Sequence, residues 1–479
     1  METTKENRLG VLPVEQLIRQ FAVPSIIAML VGALYNIVDQ FFIGRSIGEL
    51  GNAATNVAFP LTTSCVAVAL LFGIGGASSF NLALGRKQKE QAVHYMGNAS
   101  VLLFVLGIVL CLVAQIFLVP MLKFFGSPDR VLAYAITYTR ITSLGFPFFI
   151  YSNGGAHLVR ADGTPKYSML CNLTGALINT ILDPIFIFCF GMGMAGAALA
   201  TIIGQIVAAG MIFQYMLHCK SVTLKPCHLV IRAEYAVHIM SLGLSSFFNQ
   251  IAMMVVQIVL NNSLTYYGAR SVYGDSIPLA CAGIISKVAM LYFSIVIGLA
   301  QGLQPIAGYN YGAEKYDRVK AVYFRTVRYA LTVSSVAFFL FQLFPRQIIS
   351  VFGDGSEEYF LFAVRYFQIF MFMTFLNGIQ PVTATFFTAT GKPVKGIFLS
   401  LTRQILFLLP LIVVFPIFLG IDGIMYAGPI ADLAAGAAAI GMIAYEMRQI
   451  TRMQKEGERC KGPGCEKTPG TELDPDCTE

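Results

Sequence analysis

Twelve stretches of this chain are each long and apolar enough to form a helix that crosses a lipid bilayer. Such a helix needs about 20 mostly apolar residues, and short polar or Gly-containing loops separate the stretches here. Charged residues make up only 12% of the 479 residues, whereas soluble domains carry about 25%. The sequence therefore predicts an all-α membrane protein with twelve transmembrane helices. The predicted spans are 17–43, 54–80, 93–118, 133–157, 167–190, 194–218, 236–267, 277–308, 318–344, 359–388, 395–418 and 422–447.

Basic residues are distributed unevenly between the two sides of these predicted spans. The loops and termini on the side of the N-terminus carry twenty-one Lys and Arg residues, whereas the opposite loops carry five. Loops rich in Lys and Arg stay in the cytoplasm, so we expect both termini to be cytoplasmic. Because the basic residues lie in short loops, the net charge of +7 does not indicate a nucleic-acid partner. The five on the opposite side are Arg45, Lys123, Arg130, Arg270 and Arg346.

The two halves of the chain repeat one another. Gly85, in ALGRK after the second span, and Gly312, in NYGAEK after the eighth, lie 227 residues apart. Gly163 and Gly391, in ADGTPK and ATGKPVK, lie 228 residues apart. Six spans in each half give both halves the same orientation, related by a pseudo-two-fold axis along the membrane normal. We expect an N-terminal six-helix lobe at 15–218, a cytoplasmic linker at 219–235, a C-terminal six-helix lobe at 236–447 and a disordered cytoplasmic tail at 448–479.

Two carboxylates, Asp39 and Asp183, lie well inside the first and fifth predicted spans. A charged residue at the bilayer centre costs roughly 2.5–3.5 kcal/mol, so such residues are rare and usually functional. Asn179 shares a helix face with Asp183, and Pro184 leaves the carbonyl four residues earlier without its usual donor. This cluster of oxygen atoms suits a proton or a hard cation such as Na⁺. The alternative is that each acid is a hydrogen-bonded structural group.

Further polar residues inside the spans are candidates for a substrate cleft. In transporters with two repeated halves, binding sites lie near the bilayer midplane between the halves. Asp432 of span twelve is also inside the membrane, where it serves either helix packing or coupling. Spans seven and ten of the same lobe contain no carboxylate. The cleft candidates are Tyr35 and Asn36 on the face of Asp39, Gln257 and Asn261 of span seven, and Lys287 of span eight, which faces the cleft or extends to the membrane surface.

The sequence contains no complete motif for catalysis or for nucleotide binding. Gly191, Gly193 and Gly196 match a dinucleotide fingerprint, but they lie in a short turn between spans and not in a βαβ unit. Pro393 follows Lys392 where a P-loop requires Ser or Thr. We find no nucleophile with a base and no metal triad. The sequence thus argues against an integral-membrane enzyme and predicts no cofactor apart from a coupling ion, H⁺ or Na⁺.

The segment LINTILDPIFIFCFGMGMAGAALATIIGQ at 177–205 resembles the multidrug and toxic compound extrusion (MATE) family. YNIVDQFFIG, ADGTPKYSM and ATGKPVKG add to the resemblance, which is closest to the MepA-type bacterial multidrug exporters. The resemblance implies antiport across a bacterial plasma (inner) membrane, with inward flow of H⁺ or Na⁺ driving export of bulky, often cationic compounds. It also implies a cation site formed by Asp39, Asn179, Asp183 and Thr201. The branch of the family with its acids in the C-terminal lobe is matched less well.

These observations predict a cation-coupled antiporter that exports drugs and toxic organic cations by alternating access. The same four residues permit H⁺ coupling, Na⁺ coupling or competition between the two ions. The alternative is a lipid-linked oligosaccharide flippase of the same superfamily, in which we would expect basic rather than acidic cavity residues. The expected partners are small-molecule drugs and membrane lipid. We expect a monomer that binds no nucleic acid.

Overall fold

A computed structural model describes residues 7–125, 127, 129–274, 276–351 and 357–459. Within these ranges the chain is helical, without a β-strand, and eleven helices are long and apolar enough to cross a membrane. In chain order, span 1 is Val14–Ile47, span 2 Glu49–Gly85, span 3 Lys89–Ile116, span 4 Asp129–Leu144 with Phe146–Ala161, span 5 Pro165–Cys189, span 6 Gly193–Met216, span 7 Ala233–Gly268, span 8 Ser276–Gly312, span 9 Tyr316–Leu343, span 10 Glu357–Phe370 with Ile379–Ala389, span 11 Pro393–Leu419 and span 12 Ile421–Arg459.

In the described part of the chain, five short helices lie outside the long ones, four of them before or after a span and one between the two helices of span 10. Their positions are Arg8–Val11, Leu118–Phe124, Pro226–Leu229, Pro345–Ser350 and Thr374–Leu376.

Span 4 is divided into two helices of 16 residues each. The division comes at Gly145, two residues before Pro147. The ring nitrogen of Pro147 cannot donate a hydrogen bond to the carbonyl of Ser143, so the helical ladder is interrupted there. Neither half alone reaches the roughly 20 residues that a bilayer requires, but the two together do. The apolar run at 133–157 therefore does form a crossing, although it is not one continuous helix.

The predicted boundary between span 12 and a disordered tail is wrong. Helix continues to Arg459, so residues 448–459 are helical. The Lys320 ammonium group donates to Gln454 at 2.8 Å, and the Gln454 amide donates to Asp317 at 2.9 Å. These contacts attach the polar end of span 12 to the start of span 9, and polar composition alone did not reveal them. Residues 460–479 of the predicted tail lie outside the described residues.

The two lobes touch through two equivalent helix crossings. Span 2 meets span 7 at Gly75 and Gly243, and span 8 meets span 1 at Gly298 and Gly302. A Cβ at Gly302 would lie 2.6 Å from the Cα of Ala22, so this close approach requires glycine. Gly75 and Gly302 are separated by 227 residues, the period of the sequence repeat. The structure thus has the predicted all-α architecture of two six-helix halves related by a pseudo-two-fold axis.

The contacts between the lobes lie in the half of the molecule that carries the basic loops. A Cβ built on Gly312 would lie 3.2 Å from the Cα of Gly85, so the glycines paired by the repeat also touch in space. The Gln304 amide of span 8 donates to the Ile74 carbonyl at 3.2 Å and to the Ser78 hydroxyl at 2.9 Å in span 2. We call this region the basic-side interface.

The segment before span 1 is attached to the opposite lobe. The Arg318 guanidinium donates to the Leu9 carbonyl at 3.2 Å and to the Leu12 carbonyl at 2.6 Å. Asn310 donates to the Leu9 carbonyl at 3.0 Å, and the Lys315 ammonium group donates to the Gly10 carbonyl at 3.1 Å. These contacts, which we call the N-terminal clasp, complete the closure of the basic-side interface.

Candidate cation-binding site

Asp39 of span 1 and Asp183 of span 5 are brought together inside the N-terminal lobe. Both side chains are buried, and spans 1 and 5 pack side by side. The two carboxyl groups lie close enough to share a hydrogen bond when one of them is protonated. Asp183 stands at the end of a regular helix, just before Pro184 and a widened π-helical turn at Ile185–Cys189. Two carboxylates this close repel each other unless a proton or a metal cation reduces their charge.

Asn179 connects Asp183 to span 6. Its amide group donates to Asp183 Oδ1 at 3.3 Å and to Thr201 Oγ1 at 3.2 Å. The Thr201 hydroxyl in turn donates to the Ala197 carbonyl at 3.0 Å. The spacing of four residues places Asn179 and Asp183 on one helix face, as the sequence indicated. All four residues of the expected cation site therefore lie in one cluster.

Three oxygen atoms in this cluster are buried and have no described hydrogen-bond partner. They are Asp39 Oδ1, Asn179 Oδ1 and Asp183 Oδ2. Buried polar atoms are nearly always paired, so three unpaired acceptors in one cluster are unusual. Carboxylate and amide oxygens only accept hydrogen bonds, and oxygen atoms are the ligands that hard cations prefer. The cluster has the chemistry of a site for a proton or a small hard cation.

Two tyrosines stand close to the acids. Tyr35, on span 1, and Tyr138, on the first helix of span 4, both lie within electrostatic range of Asp39 and Asp183. Tyr35 was a predicted cleft residue on the same helix face as Asp39. Tyr138 was not predicted, because an aromatic residue in a membrane span most often serves packing alone.

The other predicted cleft residues do not join this cluster through any described contact. Asn36 is exposed, and its amide donates to the Gly32 carbonyl of its own helix at 2.7 Å. The Gln257 amide of span 7 donates to Asn261 Oδ1 at 3.0 Å. Lys287 of span 8 is exposed. These residues present polar groups on the surfaces of spans 1, 7 and 8, and their role in substrate binding stays a prediction.

Asp432 in the C-terminal lobe is fully partnered. The Arg403 guanidinium of span 11 donates to Asp432 Oδ1 at 2.6 Å, and the Asn377 amide donates to Oδ2 at 2.8 Å. A cation therefore already neutralises this acid, which favours the structural interpretation of Asp432. Sequence reasoning missed Arg403 as its partner. The available signal was a second intramembrane charge, of opposite sign, in the same lobe.

Known proteins resemble this chain in sequence and in fold. The pattern of the MatE family matches residues 24–185 and 245–414. The chain belongs to this family. The multidrug export protein MepA of Staphylococcus saprophyticus is 26% identical to it over 438 residues, which cover 91% of this chain and 94% of that protein. MepA of Staphylococcus aureus strain MRSA252 is 26% identical over 446 residues, again covering 91% and 94%.

Solved MATE structures show the same arrangement of helices. A crystal structure of a MATE protein in complex with MaL6 superposes with a TM-score of 0.87 at 22% identity, over 94% of this chain and all of that one. The outward-facing conformation of a multidrug resistance MATE family transporter gives 0.84 at 22% identity, with the same coverage. At these identities the likeness establishes the twelve-helix fold. The chain is thus a multi-pass membrane protein of a multidrug-transporter family.

Proposed function

We propose that this protein exports bulky, mostly cationic drugs or toxic organic compounds across a bacterial inner membrane in exchange for inward H⁺ or Na⁺. The observation that carries the proposal is the buried cluster of Asp39 and Asp183, two acids that meet without a cationic partner among the described residues. The relatives at 26% identity are named multidrug export proteins, which supports drug-like molecules as the exported class.

Coupling follows from competition for the same negative charge. A proton or Na⁺ that binds between the two acids removes charge that would otherwise attract a cationic drug. Because Asp39 lies on span 1 and Asp183 on span 5, cation binding also draws these two spans together. Binding of the cation then favours the position of span 1 close to span 5, and binding of the drug disfavours it. The two ligands thus have opposite effects on one conformational equilibrium of span 1.

The basic loops lie on the cytoplasmic side in this proposal, so the basic-side interface closes the path to the cytoplasm. Asn36 and Gln40 are exposed farther along span 1, beyond the contacts that join the lobes. Under this proposal the arrangement is that of a transporter open to the outside, the state in which the cation site would take up its ion. The inward-open state requires the basic-side interface, including the N-terminal clasp, to separate.

Efflux of a cationic dye from cells tests the proposal. Asp39→Asn and Asp183→Asn should each abolish ethidium efflux while the protein stays folded in the membrane at the wild-type level. Glu15→Gln is the matched control, because Glu15 is an acid of span 1 that pairs with Arg19 at an exposed position. Normal efflux by both aspartate variants would exclude the coupling role of this cluster.

A further inference from the structure

Two arginines on the outer surface of span 9 lack partners in the described part of the chain. Arg325 and Arg328 are exposed, and neither forms an ion pair or a side-chain hydrogen bond with another described residue. Charged residues in a membrane span usually face the protein interior or pair with an opposite charge. Exposed, unpaired arginines on the lipid-facing surface of a span therefore need a counter-ion from outside the protein.

Their depth in the membrane follows from the length of the helix. Tyr316–Leu343 has 28 residues, which makes it about 42 Å long, whereas the hydrocarbon core measures about 30 Å. Arg318 and Lys320 stand near the start of the helix, so that end carries the excess of about 12 Å. Arg325 lies about 14 Å and Arg328 about 18 Å from the start. The two guanidinium groups are thus within reach of the phosphate layer of one leaflet.

A shallow, open groove continues from Arg328 along one face of span 9, and all of its lining residues belong to this one helix. Val327, Leu331, Val336 and Phe339 line most of it, together with the hydroxyl groups of Thr332 and Ser335. The Thr332 hydroxyl donates to the Arg328 carbonyl of its own helix at 2.9 Å, so it places no unpaired donor in the groove. One end of the groove is cationic and the remainder is largely apolar.

The neighbouring acid of span 1 does not neutralise these arginines. Glu15 reaches span 9 through a hydrogen bond of 3.4 Å from the Tyr329 hydroxyl. The same carboxylate oxygen accepts from Arg19 at 2.8 Å. Glu15 is therefore balanced by an arginine of its own helix, and the positive charge of Arg325 and Arg328 remains.

We infer that Arg325, Arg328 and this groove bind one anionic phospholipid from the leaflet on the side of the basic loops. The guanidinium groups bind the phosphate, for which their planar pair of donors is well suited. An acyl chain lies along Val327, Leu331 and Phe339, where it covers apolar surface. Anionic lipids are enriched in the cytoplasmic leaflet and attract basic residues near the membrane surface. The inference depends on the membrane placement of span 9 and not on which compound the protein exports.

Native mass spectrometry of the delipidated full-length protein in detergent tests this site. Phosphatidylglycerol and phosphatidylcholine with identical acyl chains are titrated separately. The wild type should retain one more phosphatidylglycerol than phosphatidylcholine. Arg325→Gln with Arg328→Gln should weaken that binding by about tenfold, the effect of losing a hydrogen bond to a charged group. Arg452→Gln is the control, since Arg452 is exposed on the same side but pairs with Glu456.

Two further arms distinguish a bound lipid from a bound phosphate group alone. Ser335→Phe fills the groove without changing its charge, and it should also reduce retention of phosphatidylglycerol. Soluble glycerophosphate, added in excess, should not displace the lipid. Equal retention of the two lipids by the wild type, unchanged retention in the double arginine variant or in Ser335→Phe, or displacement by glycerophosphate would each overturn the inference. Both arginines are exposed, so their substitution should leave the fold intact, and an unchanged melting temperature checks this.

Discussion

Arg403 and Asp432 form a buried ion pair in the C-terminal lobe, with Nε 2.6 Å from Oδ1. In the N-terminal lobe, the residue 227 positions before Asp432 is Gln205, whose Oε1 is buried and has no described partner. The repeat therefore places a neutralised charge in one lobe where the other has an amide. The N-terminal lobe instead has two acids, Asp39 and Asp183, that meet each other. The two lobes share their helical arrangement but differ in chemistry, and the proposed coupling is confined to the N-terminal lobe.

Breaking the Arg403–Asp432 pair should destabilise the protein strongly. Arg403→Gln leaves a buried carboxylate without its cation, and removal of one partner from a buried pair costs about 3–5 kcal/mol. We expect a clear fall in the thermal unfolding temperature of the purified protein in detergent. Arg365→Gln is the matched control, because Arg365 pairs with Asp422 at 3.0 Å in an exposed position. Exposed pairs contribute about 0–1 kcal/mol.

A variant that lacks both charges shows whether Arg403→Gln destabilises the protein by removing the ion pair or by leaving Asp432 buried without a cation. Arg403→Met combined with Asp432→Leu replaces the pair with apolar groups of similar size. Such replacements are often neutral or stabilising, so the double variant should regain most of the stability that Arg403→Gln loses. Equal destabilisation by Arg403→Gln and Arg365→Gln would contradict a buried, neutralising role for Arg403.

The nature of the coupling ion gives a second prediction. A proton needs only the two carboxyl groups of Asp39 and Asp183, whereas Na⁺ needs additional fixed oxygens such as those of Asn179 and Thr201. We expect a pH gradient alone, without Na⁺, to drive substrate export from proteoliposomes. Thr201→Val, which removes one neutral oxygen and keeps the side-chain shape, should retain most of this proton-driven export. If only a Na⁺ gradient moves substrate, and Thr201→Val abolishes that movement, the proton interpretation is wrong.

Much of the fold could be predicted because membrane spans are encoded locally. A run of about 20 apolar residues identifies a span without knowledge of its neighbours, and the repeat of glycines indicated how the halves correspond. Asp39 and Asp183 stood out for the same reason, since a charge inside an apolar run is visible in the sequence alone. Thr201 had no such signal, and it entered through resemblance to a known family.

The features that sequence reasoning missed depend on which helices become neighbours. Tyr138 comes within electrostatic range of the acids because its helix, Asp129–Leu144, packs against spans 2 and 6. A tyrosine in an apolar run does not indicate such neighbours. Arg403 and Asp432 are 29 residues apart, so no helical spacing connects them. The polar end of span 12 has the composition of a disordered tail, and contacts with span 9 hold it as a helix.

The orientation of the chain can be measured with cysteine labels in a cysteine-free background. The excess of basic residues on one side predicts that Gln88 and Lys225 face the cytoplasm. Val272 and Val351, which are 90% and 80% exposed, lie on the other side. A membrane-impermeant maleimide should therefore label cysteines at 272 and 351 in intact cells and cysteines at 88 and 225 only after lysis. The reverse pattern would invert the membrane orientation.

These four positions avoid the glycines at the loop ends. Gly85 and Gly312 touch each other, so a cysteine at either would disturb the basic-side interface. Gly126 and Gly353, which mark the opposite loops in the sequence, lie outside the described residues. The chosen positions are all exposed, so labelling reports accessibility from each side without disturbing packing.

The N-terminal clasp should stabilise the state in which the basic-side interface is closed. Arg318 donates to the Leu9 and Leu12 carbonyls across the lobes, and hydrogen bonds from a charged group contribute about 1.5–3 kcal/mol. Arg318→Ala should therefore raise the population of molecules open on the basic side by about tenfold or more. Spin labels at Gln88 and Val394, exposed positions in opposite lobes, allow this distance distribution to be measured by pulsed electron paramagnetic resonance.

The expected result is a new, longer distance between these labels in Arg318→Ala, with the wild-type distance reduced in proportion. Arg452→Ala serves as the control, because it removes an arginine from the same side of the membrane without touching the first span or its preceding segment. A larger population open on the basic side should accelerate the exchange of drug for cation if opening of the basic-side interface limits turnover. It should slow this exchange if closing of the interface limits turnover. A distance distribution identical to that of the wild type would mean that the hydrogen bonds of Arg318 to the Leu9 and Leu12 carbonyls do not stabilise the closed state, and the prediction would be wrong.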